Sequence, residues 1–387
     1  MTTHFVKAKP VIQQLKKNGF EAYFVGGSVR DFVMGREIND IDIATSAMPE
    51  EVKSVFERTF DVGIQHGTVL VLSGNEKYEV TTFRTESTYS DFRRPDSVTF
   101  VRSLLEDLNR RDFTMNALAM DESGKLFDYF EGNKDIENGI IRAVGNPETR
   151  FHEDALRMLR AIRFQSQIGF QIEECTLSAI KQNAENIKHI SQERITIEFE
   201  KILMGKNASM AVKTLYDTGL VIHLNGLGMV PISLMISNLD LLVTIEEKWA
   251  DFFIKSGIDP KKFLVTWKCS SEKIQKVKSI VNCFHTVMEF GWSNPILFHY
   301  GLEIALSVEN LRIAREYNHY DVNDMFQKLA IKTKQELSVN GQDIMDWKNK
   351  KGGPWLSETI EKIVEHVLNG KLMNEKEEIK AWILSNK

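Results

Sequence analysis

Short runs of alternating apolar and polar residues fill the first third of the chain, and longer helical periodicities fill the rest. The strand-like runs are EAYFVGG (21–27), NDIDIAT (39–45), GTVLVLSG (67–74) and KYEVTTFR (77–84). A further pair lies in NALAMDESGKLFDYF (116–130), where Glu122, Ser123 and Gly124 read as a hairpin turn. Helical patterns alternate with the first strands: one ends near Gly19, one covers 29–34, and one is PEEVKSVFERTF after Met48. Beyond Gly145 the pattern is almost wholly helical. Asn146 reads as an N-cap with Pro147 at the first helical position and Glu148 in the first turn. That helix is expected to run to a stop at Gly169, with an irregular first turn.

This order predicts an α+β protein: a mixed-sheet domain of about 140 residues, then helical domains. A chain of 387 residues is too long for one ordinary core. The sequence shows no repeats or low-complexity tracts. At 42% hydrophobic and 27% charged it has a globular profile. The most apolar region, 226–245, is interrupted by Pro231, Ser233, Asn238 and Asp240, so no membrane span is expected. The N-terminal segment has no continuous apolar core for a signal peptide. Cys175, Cys269 and Cys283 lack CxxC spacing, which argues against disulfides or a zinc site and fits a cytoplasmic location. A net charge of −5 gives no global sign of nucleic-acid binding, although a binder needs only a local basic face.

The chemistry-bearing residues are clustered. Asp40 and Asp42 lie two apart in an apolar run, so on a strand both would leave the face opposite Ile41 and Ile43. Two ionised carboxylates side by side call for a cation between them, and sparse hard oxygen ligands suit Mg²⁺. Gly26 and Gly27 stand between a strand and a helix, where backbone amides can approach phosphate, with Arg30 and Asp31 in the first turn. Glu79 would either face the Asp pair as a third carboxylate or point into solvent. Residues 88–98 read as a solvated loop or as one that closes over the site. NRRDFTMNALAM (109–120) brings Arg110, Arg111, Asp112 and Asn116 to the edge of a strand. Beside a triphosphate Arg111 would neutralise charge, and Asp112 and Asn116 could read a ribose hydroxyl. In RFHEDALRMLRAIRF (150–164), Asp154 and Arg157 share a face at helical spacing, and Arg160 and Arg163 continue in steps of three.

GGSVRD, NDIDIAT, RRDFTMNA and EDALRMLRAIRF, in this order, resemble the class II CCA-adding enzymes, tRNA nucleotidyltransferases of the DNA polymerase β-like superfamily. The likeness is dense from about Gly19 to Lys206 and continues in VNGQDIM and the segment from Lys351 to Ile379. It implies a polymerase-β-like nucleotidyltransferase head with a mixed β-sheet (1–140), then an all-α neck (141–206), body (207–300) and tRNA-binding tail (301–387). It also implies addition of C, C and A to the 3′ end of tRNA from CTP and ATP, with no nucleic-acid template and with two Mg²⁺ ions. By motif, Asp40 and Asp42 would be metal ligands and, with Glu79, the catalytic carboxylates. Gly26, Gly27, Arg30, Arg111, Asp112 and Asn116 would hold the nucleotide. Asp154 and Arg157 would read the base, with Arg160 and Arg163 alongside and Glu193, Arg194 and Glu198 nearby. Partners would be CTP, ATP and the acceptor and T-arm of tRNA, with no membrane, and a homodimer is left open. The alternatives are a poly(A) polymerase or A-adding enzyme and, more remotely, a non-catalytic RNA-binding protein. FDVGIQHGTVLVL lacks the Gly-Arg-Arg expected of poly(A) polymerases, DFRRPDSV matches the flexible-loop motif that CC-adding enzymes lack, and no histidine is followed by Asp as in a phosphohydrolase.

Overall fold

The computed structural model describes residues 3–38, 40–63, 67–86 and 98–385, which fall into two compact units, Met1–Ile236 and Ser237–Lys387. In the first unit, α1 (Thr3–Lys17) buries Phe5, Ala8, Val11, Ile12 and Leu15, a stripe at helical spacing. Then follow β1 (Ala22–Val25), α2 (Gly27–Val33), β2 (Asp42–Thr45), α3 (Pro49–Val55), β3 (Thr59–Gly63), β4 (Thr68–Ser73) and β5 (Glu76–Thr82). β6 (Arg84–Glu86) pairs with β7 (Val98–Phe100), and α4 (Leu104–Asn109) leads to β8 (Leu118–Met120) and β9 (Leu126–Asp128). Seven strands form one sheet in the order β3-β4-β5-β2-β1-β8-β9. β2 and β5 are parallel and the other neighbours antiparallel, which is the expected mixed sheet.

α5 (Gly132–Glu137) and β10 (Ile140–Ile141) lead to α6 (Pro147–Glu153), α7 (Leu156–Ile168), β11 (Gln171–Ile172), α8 (Glu174–Asn183), α9 (Gln192–Leu203), α10 (Ala208–Asp217) and α11 (Ile232–Ile236). The second unit is helical: α12 (Ile245–Ser256), α13 (Pro260–Thr266), α14 (Ser271–Phe290), α15 (Asn294–Ala314), α16 (Val322–Gln327), α17 (Gly341–Lys348), α18 (Pro354–Leu368) and α19 (Lys376–Ser385). Trp249, Phe253, Phe263 and Trp267 stack in one of its cores, and Leu297, Ile344, Ile363 and Ile379 belong to another. No described helix is long and apolar enough to cross a membrane.

Three sequence expectations need correction. The helix after Met48 ends at Val55, and Thr59 and Phe60 belong to β3. Phe60 and Val62 are exposed on this edge strand, so no two-residue burial pattern marks it. Asp40 precedes β2 rather than lying on it. The helix opened by Asn146 is also not continuous to Gly169. Asp154 is extended (φ −139°, ψ 103°) and separates α6 from α7. Gly169 does end α7, in the left-handed region at φ 78°. β11, paired in parallel with β10, is a two-residue strand too short to show a period.

Candidate active site

Register places the carboxylates. Asp42 stands opposite Val25 of β1 on one side and Glu79 of β5 on the other. Ile41 and Ile43 are buried and Asp40 and Asp42 exposed, so the expected alternation holds although Asp40 lies ahead of the strand. Val25 leads into Gly26, whose φ of +70° disfavours any side chain. A Cβ there would lie 3.0 Å from Arg111 Nη1 and 3.8 Å from Asp42 Oδ2, so only glycine leaves this backbone open between the two charges. Gly27 then opens α2, and Ser28 Oγ donates to Val25 O at 3.0 Å.

Asp42 faces two cavities. Together with Asp40 and Glu79 it lines an open cleft of about 630 Å³. With Arg84, Asp107, Arg110 and Arg111 it lines a smaller one of about 200 Å³. Partial burial of its carboxylate pushes its pKa up, Arg111 opposes the shift, and Glu79 and Asp40 add to it. Among the described residues no three acidic, His or Cys side chains enclose a cation unaided. The carboxylates nonetheless fit a divalent ion whose remaining ligands come from a substrate: all are oxygen donors, and their mutual repulsion is relieved by a cation.

Arg111 is aimed by a residue the sequence reading missed. Asp107 is fully buried. Its Oδ1 accepts from Arg110 Nε and Nη2 (3.0 and 2.8 Å) and from the Arg84 amide (3.3 Å), and its Oδ2 accepts from Arg111 Nη2 (3.1 Å). Burial alone would raise its pKa, but Arg111 and Arg110 hold it below the usual carboxylate range. The signal was available in the i,i+3 and i,i+4 spacing of Asp107 to the two arginines.

A hydrogen-bonded chain joins the glycine turn to α7. Arg30 Nη1 donates to Asn116 Oδ1 (2.8 Å), Asn116 Nδ2 to Asp112 Oδ1 (3.0 Å), and Arg160 Nε and Nη2 to Asp112 Oδ2 (2.9 and 2.6 Å). The guanidinium groups of Arg30, Arg160 and Arg163 lie 5.1, 5.7 and 4.5 Å from the Phe164 ring centre, close enough for cation–π attraction. Asp112 and Asn116 are thus links of this chain. Arg163 is buried and donates from Nη1 to Glu198 on α9 at 3.0 Å. Burial first, and Arg160 second, lower its pKa.

Asp154 and Arg157 do not share a helical face as expected, because Asp154 sits in the break. Its Oδ1 accepts from the Leu156 amide (3.1 Å), and its two oxygens accept from Arg194 Nη1 and Nη2 (3.4 and 2.8 Å). Arg157 is buried, bridges to Glu153 and donates from Nη2 to the Arg110 carbonyl at 3.0 Å. The break places both residues at the N-terminal end of α7 and gives each its own anchor. Glu153 and Arg194 were not assigned these anchoring roles from the sequence. Residues 88–97 of the suspected closing loop lie outside the described residues.

Asp112 gives a stability prediction. Burial would raise its pKa, but Arg160 and Asn116 hold it at about 2, against an ordinary 3.8. A depressed folded-state pKa stabilises above pH 3.8, and that contribution is lost as pH falls towards 2. The shift corresponds to roughly 2 kcal/mol. Urea unfolding between pH 5 and pH 2 should therefore show about that much more acid loss in the unsubstituted protein than in Asp112→Asn. Equal pH dependence would contradict the pairing.

A mixed sheet with two aspartates beside a glycine turn, clamped to an arginine-rich helix, defines a polymerase-β-like nucleotidyltransferase. Residues 22–142 match the family model described as "Poly A polymerase head domain", and residues 242–383 match a tRNA nucleotidyltransferase domain 2. The chain is 48% identical to the CCA-adding enzyme of Geobacillus sp. (strain WCH70), covering 99% of this chain and 98% of that one. It is 47% identical to the CCA-adding enzyme of Bacillus cereus (strain Q1), covering 98% of each. Its fold superposes on the crystal structure of the Bacillus stearothermophilus CCA-adding enzyme in complex with CTP with a TM-score of 0.91 at 45% identity, covering 100% of this chain and 98% of that one. The chain belongs to the CCA-adding enzymes, a family of tRNA nucleotidyltransferases that use divalent metal ions.

Proposed function

We propose that the two cavities flanking Asp42, and the α7 terminus tied to them, divide the work of template-independent CCA addition to the 3′ end of tRNA. Asp40 and Asp42 hold Mg²⁺, with Glu79 as a third carboxylate on the same cleft. Two Mg²⁺ bound there would lower the pKa of the attacking hydroxyl and neutralise the departing pyrophosphate. Gly26 and Gly27 present backbone to the triphosphate of CTP or ATP. Arg111 sits where that charge accumulates, and Arg30 braces the turn. Asp154 and Arg157 read the base, Arg160 holds their helix against the head through Asp112, and Arg163 ties it to Glu198 on α9. The head, neck, body and tail divide at residues 140, 206 and 300, with the tail directed to tRNA.

The observation that carries this reading is the chain Arg30–Asn116–Asp112–Arg160, which fixes the base-reading end of α7 to the phosphate-binding turn. Such a link makes nucleotide choice a property of protein side chains. To test it, tRNA ending before CCA is incubated with CTP, with ATP, and with both. CTP alone should add two residues and the mixture three. A lengthening poly(A) tail, or no addition, would overturn the reading.

Asp107 gives a kinetic expectation. Asp107→Asn removes the charge that aims Arg111, a charge-assisted bond of about 1.5–3 kcal/mol. KM for CTP should rise at least about tenfold at saturating tRNA, by the same magnitude. An unchanged KM with a lower kcat would mean that Arg111 is aimed without it.

A further inference from the structure

Arg30 and Arg160 are the two ends of the hydrogen-bonded chain through Asn116 and Asp112, and both ends meet one aromatic ring. Phe164 stands four residues after Arg160 on α7, so the two share a helical face. Phe164 is only 4% exposed, and its ring lies edge-to-face on Phe113 with the centres 5.7 Å apart. Arg30 comes to this ring from α2, directly after the glycine turn, whereas Arg160 and Arg163 belong to α7. Each of the three cations has a carboxylate of its own. Asp31 accepts from Arg30 Nε and Nη2, both at 3.0 Å, Asp112 takes Arg160, and Glu198 takes Arg163. The guanidinium groups still repel one another, and Arg163 feels both Arg160 and Arg30. Its Nε and Glu198 Oε2 are buried with no hydrogen-bond partner among the described residues, so this pair holds Arg163 at one point only. The ring supplies further attraction. Its negative face draws a cation without using any hydrogen-bond direction, and more strongly in a desolvated site than at the surface.

We propose that Phe164 is a positioning residue that fixes the base-reading end of α7 at a set distance from the phosphate-binding turn. The hydrogen-bonded chain runs from Arg30 to Arg160, and the ring brings those two guanidinium groups back together, so chain and ring form a closed loop across the head and α7. A closed loop fixes a distance that an open chain of hydrogen bonds lets drift. CTP gains from the fixed distance because its triphosphate and its base must engage at once, and a ligand held at two points loses affinity when the points no longer match its span. A leucine here would keep the site apolar and most of it filled, yet leave three cations against a surface that attracts none of them. The inference rests on the proposed roles of Gly26, Gly27, Asp154 and Arg157.

The experiment measures KM for CTP at saturating tRNA lacking CCA, and the inhibition constant of inorganic tripolyphosphate against CTP, for the unsubstituted enzyme and Phe164→Leu. KM should rise about tenfold, while tripolyphosphate, which needs the turn alone, should bind within twofold of its original strength. A second series separates the ring's charge distribution from its packing. Site-specific incorporation places at position 164 phenylalanine analogues carrying one, two and three ring fluorines, which weaken the negative face of the ring and barely change its shape. KM for CTP should climb with each fluorine at an unchanged melting temperature. A flat series would reduce Phe164 to packing and overturn the assignment. So would a melting temperature that falls in step with the rise, or an equal rise in KM for CTP and in the tripolyphosphate constant. If the unsubstituted enzyme adds no cytidine, or tripolyphosphate does not compete with CTP, the functional reading fails instead.

Discussion

Asp42→Ala should yield a protein that folds normally and transfers no measurable nucleotide. Charge stabilisation by a bound divalent ion contributes several kcal/mol to a transition state, so its loss should lower the rate by on the order of 10³-fold or more. A folding defect is the usual confounder, and the structure argues against one here. Asp42 opens β2 with part of its surface in solvent, and the partial burial of its carboxylate, with Glu79 and Asp40, outweighs Arg111 and raises its pKa. A carboxyl whose folded-state pKa is raised opposes folding once pH passes its ordinary value, because ionisation is easier in the unfolded chain. Removing it relieves repulsion. At neutral pH Asp42→Ala should melt no lower than the unsubstituted protein while single-turnover addition of CTP collapses. Retained transfer would remove Asp42 from the chemistry. A large drop in melting temperature would give it a structural role instead.

The parts of the site visible in the sequence were those whose geometry is local. Alternation around Asp42 needs only strand periodicity, and the Gly26 turn needs only its neighbours in the chain. The hairpin was equally legible: Asp121 holds the Ser123 and Lys125 amides, and Gly124 takes φ 93°. Asp154 was placed on a continuous helix because nothing in EDALRMLR breaks helical periodicity. The break is held by tertiary partners: Arg194 lies 40 residues away, and the Arg110 carbonyl that receives Arg157 lies 47 away. The links made by Asp112 and Asn116 were hidden for the same reason: their neighbours in sequence suggest a ribose, and the Arg160 that donates to Asp112 lies 48 residues on. Edge strand β3 was lost because its side chains are exposed on a sheet margin, where periodicity carries little information.

Substituting Asp154 should change which nucleotides are accepted more than how fast the accepted ones react. Cytosine and adenine each present an amino donor beside a ring-nitrogen acceptor, which suits a carboxylate beside a guanidinium. Uracil and guanine present a carbonyl and an N–H at those places. The carbonyl opposes Asp154 and the N–H opposes Arg157, leaving charged groups mispaired, and a site of this kind discriminates by about 10²–10⁴-fold. The structure leaves room for the contact. A carboxylate has roughly four lone-pair directions, and at Asp154 the Leu156 amide and Arg194 take two on Oδ1 and one on Oδ2. Asp154→Ala should therefore cut the preference for CTP over UTP by about 10²-fold, measured as the ratio of kcat/KM values. Asp154→Asn is the sharper variant, since its amide can donate to the uracil carbonyl and keep an acceptor towards Arg194. It should admit UTP faster than the alanine variant does, at similar stability. The cost to CTP should stay below the gain in UTP use, because Arg157 keeps its anchors on Glu153 and the Arg110 carbonyl. If both variants keep the original ratio within twofold, selection lies elsewhere on the neck, and the Asp154–Arg194 pair serves only to hold the break between α6 and α7.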